Sequence, residues 1–225
     1  MFRITLIGLI SGVIGTGIGG IISTVFRKNV KRYISFFMGI SGGVMLAVVV
    51  FDLLKESMNQ IGVIYTSLFV FAGALLTMLI KNKLEVESDL KSGYLIFLSI
   101  LLHNLPEGLA IGSSFIATEN LGITLAIVIG IHNIPEGLAM ALSLAGSKMS
   151  TFKVVLLTLI AGIPMGIGSF FGAYFAGMCT SLIGGFLAIA AGTMMYVVLE
   201  EIFPSAKSMY SIMGFLIGIL VVSYI

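Results

Sequence analysis

The chain is short of most of what a soluble protein displays. Only 10% of its 225 residues are charged, where a soluble domain carries about a quarter. That shortage excludes a cytosolic enzyme and a disordered chain. The net charge is +2, so no basic surface awaits a polyanion and a nucleic-acid partner is excluded. The single cysteine, Cys179, rules out a disulfide framework and any CxxC metal site. Tryptophan is missing altogether, and histidine occurs only twice.

What is present is apolar. Hydrophobic residues make up 58% of the chain, there are 28 glycines, and the mean hydropathy is +1.16. This composition reads as closely packed membrane helices. The charges fall in clusters separated by apolar runs, and a run of roughly 20 residues crosses the hydrocarbon core as a helix. Eight such spans are expected, at about 4–26, 33–54, 61–80, 94–117, 121–145, 154–178, 181–203 and 209–225. Nothing alternates as the strands of a membrane barrel do. The expected fold class is therefore an all-α membrane protein of eight transmembrane helices.

The first run is too long for a signal-peptide core and no A-x-A-like site closes it, so a retained helix is expected. The loops leave no room for a second unit, so residues 1–225 read as one polytopic transmembrane domain. Its longest connection lies at about 81–93. Arg27, Lys28, Lys31, Arg32, Lys81, Lys83, Lys91, Lys148, Lys153 and Lys207, ten of the twelve basic residues, fall on one side of this arrangement. Only Arg3 and Lys55 fall on the other. The basic side is expected to be cytoplasmic. Both termini then lie outside the cytoplasm, in a plasma (inner) membrane with the lipid bilayer as solvent.

Gly8, Gly12, Gly15 and Gly19 on the first span, and Gly214 and Gly218 on the last, carry the spacing that lets helix backbones approach. Packing within the chain is the expected use; a homodimer seam is the alternative. The 13 methionines read mostly as core filler.

One short pattern occurs twice. The fourth span contains His103-Asn104-Leu105-Pro106-Glu107-Gly108-Leu109-Ala110, and the fifth contains His132-Asn133-Ile134-Pro135-Glu136-Gly137-Leu138-Ala139. Ionisable side chains in mid-membrane point to function by default. Histidine and glutamate four apart share one helix face, and the asparagine points about 100° away. Each proline lacks an amide hydrogen and frees the carbonyl four residues back, Leu102 or Ile131. The two spans are joined by a short loop and run antiparallel, so the motifs meet at similar depth. Together they offer two imidazoles, two carboxylates and two amide oxygens. Two carboxylates balance a divalent cation. Nitrogen and oxygen ligands without thiolate suit zinc, iron, manganese, cobalt or cadmium, with Cu⁺, Ca²⁺ and Mg²⁺ fitting less well. The bland alternative is a satisfied polar network gluing two helices.

The paired HNxPEG motifs, together with the span count and the YVVLEEIFP stretch, resemble the ZIP (ZRT/IRT-like) family of divalent metal transporters. The resemblance implies a central metal site between the fourth and fifth helices, with zinc as the leading cargo and no organic cofactor. His103, Glu107, His132 and Glu136 are implied as primary ligands, with Met45 as a thioether contributor. Asn104 and Asn133 are implied to face an adjacent second site bridged by the same glutamates. At that second site Ile163, before Pro164, stands where many members carry a glutamate, so one strong site and a weak or absent second are expected. The resemblance also places Asp52 at the outer entrance. Glu200 and Glu201 suit a metal exit, against the alternative of interfacial carboxylates paired with Lys207. It further implies inward transport, with the site-bearing helices sliding as a block. An intramembrane metal-dependent hydrolase and a non-transporting metal sensor are the rival readings; the hydrolase lacks an HExxH pair.

Overall fold

A computed structural model describes residues 1–26, 30–83, 88–145, 149–175 and 180–223. Cys179, Arg27, Lys28 and Lys148 lie outside the described residues. Among the described residues all regular structure is helical: α1 (Phe2–Phe26), α2 (Val30–Val48), α3 (Leu54–Lys83), α4 (Ser88–Ala117), α5 (Glu119–Ala145), α6 (Thr151–Ala161), α7 (Ile163–Phe175), α8 (Thr180–Val197) and α9 (Ser208–Val222). Among the described residues two five-residue π-helical turns, Val49–Leu53 after α2 and Val198–Ile202 after α8, widen the chain locally.

Among the described residues six helical stretches are long and apolar enough to cross a membrane: Phe2–Phe26, Ser35–Lys83, Gly93–Ile116, Glu119–Ala145, Thr151–Phe175 and Gly184–Ser205. The expected span 61–80 and nearly all of 33–54 fall within one of these, Ser35–Lys83. The charged stretch between them, Lys55 and Glu56 included, stays helical, and the backbone leaves the helix at Gly62 (φ 76°, ψ 163°). That left-handed conformation favours glycine, which has no Cβ to clash. Ser208–Leu220 is a shorter apolar helix.

The expected loop at 81–93 is shorter than its charges suggest. α3 runs to Lys83 and α4 begins at Ser88. Lysine is a good helix former, so charge ends the apolar run without ending the helix.

The helices sort into two groups. α1, α4, α5, α6 and α7 pack chiefly on one another, while α2 packs on α9 and α3 on α8. Glycines mark both groups. A Cβ on Gly12 would strike the Gly162 carbonyl, and one on Gly108 the Met165 carbonyl, both inside the first group. Gly43 lies against Ser211 and Phe215, and Gly73 against the Ile189 carbonyl, both inside the second. Among the described glycines none makes such an approach from one group to the other. The glycines of α1 and α9 thus serve packing within the chain, as expected: Gly19 meets Ile134 and Leu138, and Gly214 meets Ile40.

Between the groups lies a core of bulkier side chains. Met38, Met45, Val49 and Met194 from one group belong to the same buried cluster as Ile96, Ile100, Met140 and Leu144 from the other. Close packing of such residues supplies about 1.5–3 kcal/mol for each fully buried side chain relative to water, though a bilayer supplies no comparable drive between helices. One polar link crosses the boundary where Ser99 of α4 donates to the Thr193 carbonyl of α8 at 3.4 Å.

Candidate metal centre

α4 and α5 each carry the repeated motif, and Pro106 and Pro135 lie within their continuous helices. His103 and Glu107 sit one turn apart on α4, and Glu136 faces them from α5. Ligand atoms of His103, Glu107 and Glu136 all lie within 4.8 Å of one another, and all three side chains are buried. This is the spacing a single cation needs when it gathers ligands from two helices. The His132 side chain lies outside the described residues; its backbone continues α5 one turn before Glu136.

The His103 ring is held at both nitrogens. Nδ1 lies 3.1 Å from the Ser99 carbonyl oxygen, and Nε2 lies 2.8 Å from Glu136 Oε2. A carbonyl only accepts, so Nδ1 carries hydrogen and donates. Nε2 is thereby directed at the carboxylate, with a proton between them on one atom or the other. The backbone bond fixes which nitrogen is offered to an ion, the usual device for orienting a ligand histidine.

The asparagines turn the other way, as their position one residue after each histidine requires. Asn104 donates its amide to the Ala161 carbonyl at 2.6 Å, and the Asn133 amide lies 4.0 Å from Met165 Sδ. The first contact has a local cause. At the α6–α7 junction the Met165 amide bonds the Gly162 carbonyl, three residues back, so the Ala161 carbonyl loses its helical partner. Asn104 supplies the replacement. The side-chain oxygens of Asn104 and Asn133, and Oε1 of Glu136, are buried with no hydrogen-bond partner among the described residues. Buried oxygens of this kind are costly unless something else binds them.

The corner assigned to Ile163 is differently built. Ile163 is 44% exposed, whereas Met165 is fully buried beside Asn133. The tight turn at Gly162 shifts the helix phase, so Met165 takes the inward place. Sequence spacing from Pro164 alone misses it. Met45 is 2% exposed within the main core cluster.

Asp52 lies in the π-helical turn Val49–Leu53. It shares a cavity of about 240 Å³ with Glu56, Gln60, Ser113, Ser114 and Glu107. The cavity therefore reaches from the start of α3 to a carboxylate of the buried cluster. At the far end of the fold, Glu200 and Glu201 occupy the other π-helical turn. Lys81 of α3, not Lys207, meets them: its Nζ is 2.6 Å from Glu201 and 3.8 Å from Glu200. Glu201 is nearly buried, Glu200 is exposed, and the Lys81 ammonium also lies over the Tyr196 ring. Neither π-helical turn nor the Lys81 pairing leaves a mark in hydropathy.

A family-wide profile described as ZIP Zinc transporter matches residues 81–225. Two curated relatives are also similar. One is the zinc transporter GufA of Myxococcus xanthus, 40% identical over 116 residues, or 51% of this chain and 46% of that protein. The chain thus aligns with about half the length of that relative. The other, the zinc transporter ZupT of Chlorobium chlorochromatii (strain CaD3), is 28% identical over 245 residues, covering 93% of this chain and 91% of its own. Both HNxPEG motifs, the α6–α7 junction and the Glu200–Glu201 turn fall inside the region matched by the profile, which takes in well over half of the chain: it belongs to the ZIP zinc transporter family.

Proposed function

We propose that the chain carries divalent transition-metal ions, zinc foremost, across the plasma (inner) membrane into the cytoplasm by alternating access. The observation that carries this reading is the buried trio His103, Glu107 and Glu136, whose ligand atoms lie within 4.8 Å of one another. His132, one turn from Glu136, completes the proposed primary site, and Met45 is its proposed thioether neighbour. In this reading residues 1–225 form one domain of eight crossings with both termini outside the cytoplasm. Gly62 separates the second crossing from the third.

A hydrated ion enters by the cavity that Asp52 and Glu107 share. Carboxylates lining a low-dielectric cleft attract cations and offset the loss of water. For His103 and Glu136 both to bind the ion, the proton between Nε2 and Oε2 must leave, as metal binding generally requires of its ligands. The partnerless oxygens of Asn104 and Asn133 support a polar neighbourhood beside the site. With Met165 instead of a carboxylate there, a second divalent ion is held weakly or not at all. Release is proposed to pass Glu200 and Glu201, where the Lys81 ammonium must give way to the cation. The division into two groups, with glycine contacts confined within each, supports sliding of the site-bearing group against the other.

Proteoliposomes loaded with a zinc-sensitive dye test the proposal. External zinc should raise the internal signal, and Glu107→Ala or His103→Ala should abolish the rise at equal reconstitution. Unaltered flux in both variants overturns the site. A wild-type protein that binds zinc but never delivers it favours a sensor.

A further inference from the structure

An apolar groove of about 500 Å³ runs between α1 and α5. Its floor is made by backbone: a Cβ on Gly15 would strike the Gly130 carbonyl and the Asn133 side chain. Its walls are isoleucines, with Ile14 and Ile127 more than half exposed. Ser11, the polar residue of its lining, donates to the Ala126 carbonyl and so presents no unmet demand.

One helical turn beyond the lining, near the N-terminal ends of α1 and α5, lies an ion pair. Arg3 Nη2 lies 2.6 Å from Glu119 Oε1, and both side chains are more than half exposed. Residues four apart lie along one helix face. On α1 that series runs Arg3, Ile7, Ser11, Gly15; on α5 it runs Glu119, Ile123, Ile127, Ile131. The ion pair therefore crowns the two faces that form the groove.

Length and shape narrow the occupant. The α1 wall extends from Ile7 to Ile18, which at 1.5 Å per residue is about 16 Å. Half of a ~30 Å hydrocarbon core is about 15 Å, so the groove matches one leaflet. A further helix fits poorly. α1 and α5 already touch along the floor, and the branched ridges lack the small residues through which membrane helices approach. A thin flexible chain fills such a valley.

We propose that the groove binds one acyl chain of a zwitterionic phospholipid with an ammonium headgroup, the lipid phosphate facing Arg3 and its ammonium facing Glu119. Each charge of the pair meets its opposite, and guanidinium–phosphate contacts are among the stronger charge-assisted hydrogen bonds. The bound chain lies against Gly130 and Ile131, just before the second motif, and Ile134 within it, and so supports α5 at the depth of the candidate metal centre.

The test is lipid retention, which does not depend on the transport reading. The full chain is placed in nanodiscs of phosphatidylethanolamine and phosphatidylglycerol with matched acyl chains, extracted into detergent and weighed intact by native mass spectrometry. Wild type should retain one phosphatidylethanolamine with a several-fold preference. Glu119→Gln should reverse the preference, because Arg3 then favours the anionic lipid. Ile127→Trp fills the groove and should lose retained lipid of both kinds; Ile14→Phe, from the opposite wall, serves if that variant fails to elute as a folded protein. Equal retention of the two lipids by wild type, or full retention by a folded groove-filled variant, overturns the proposal.

Discussion

His103 Nε2 and Glu136 Oε2, carried by different helices 33 residues apart in sequence, lie 2.8 Å apart with both side chains fully buried. At that distance a lone pair facing a bare carboxylate is repulsive, so a proton sits in the contact. An ion that takes both atoms as ligands expels it. Zinc binding to the purified protein should release roughly one proton from this pair. Calorimetry in two buffers of different ionisation enthalpy reads that count. Glu136→Gln should lower it and weaken zinc binding by at least about tenfold, the scale on which ligand and supporting residues act.

The neighbouring corner distinguishes two residues that sequence spacing confuses. Met165 is buried beside Asn133 and Ile163 is largely exposed. Met165→Glu should therefore add a carboxylate beside Asn133 and raise the zinc stoichiometry from one ion to two. Ile163→Glu should leave it unchanged. Metal content after dialysis, measured by elemental mass spectrometry, separates the outcomes.

Packing inside the site-bearing group tolerates no added methyl at Gly108, where a Cβ would collide with the Met165 carbonyl and the Gly168 Cα. Gly108→Ala should cost about 1–3 kcal/mol as an overpacked substitution. Gly185→Ala, whose Cβ first meets the Phe69 ring at 3.7 Å, should be near neutral. Thermal unfolding in detergent, followed by circular dichroism, gives the comparison.

At the Val198–Ile202 turn, Lys81→Ala leaves the nearly buried Glu201 without its ammonium partner. The variant should lose at least about 1–3 kcal/mol of stability, the cost of leaving a buried acceptor unsatisfied, which is larger for a charged one. Glu201→Gln combined with Lys81→Ala should recover part of that loss. Unfolding midpoints of the single and double variants form the test.

The features legible in sequence are the local ones. Apolar runs mark most of the helices, because hydropathy over 20 residues is a sum that neighbours hardly alter. The buried trio of His103, Glu107 and Glu136 is legible because the motif repeats, and four-residue spacing puts histidine and glutamate on one face. The asparagine contacts with the α6–α7 junction agree with the same helical arithmetic. The failures arise where the backbone changes phase. The turn at Gly162 rotates Met165 inward and Ile163 outward. The charges of 55–60 suggest a loop, yet the chain remains helical until Gly62. Lys81 and Glu201 are 120 residues apart, and no local pattern pairs them. The division into two groups is likewise a property of which glycine meets which backbone, and spacing alone does not choose the partner.

That division foretells an uneven landscape of tolerated change. Where chains touch through bare Cα atoms, enlargement at Gly12 or Gly73 should lower the yield of folded protein. Where methionines and isoleucines meet across the boundary, exchanges of similar bulk should spare assembly and, on the proposed sliding, change the transport rate instead. Yield and speed, scored separately in one library of variants, should trace the border between the two bundles without any further structure.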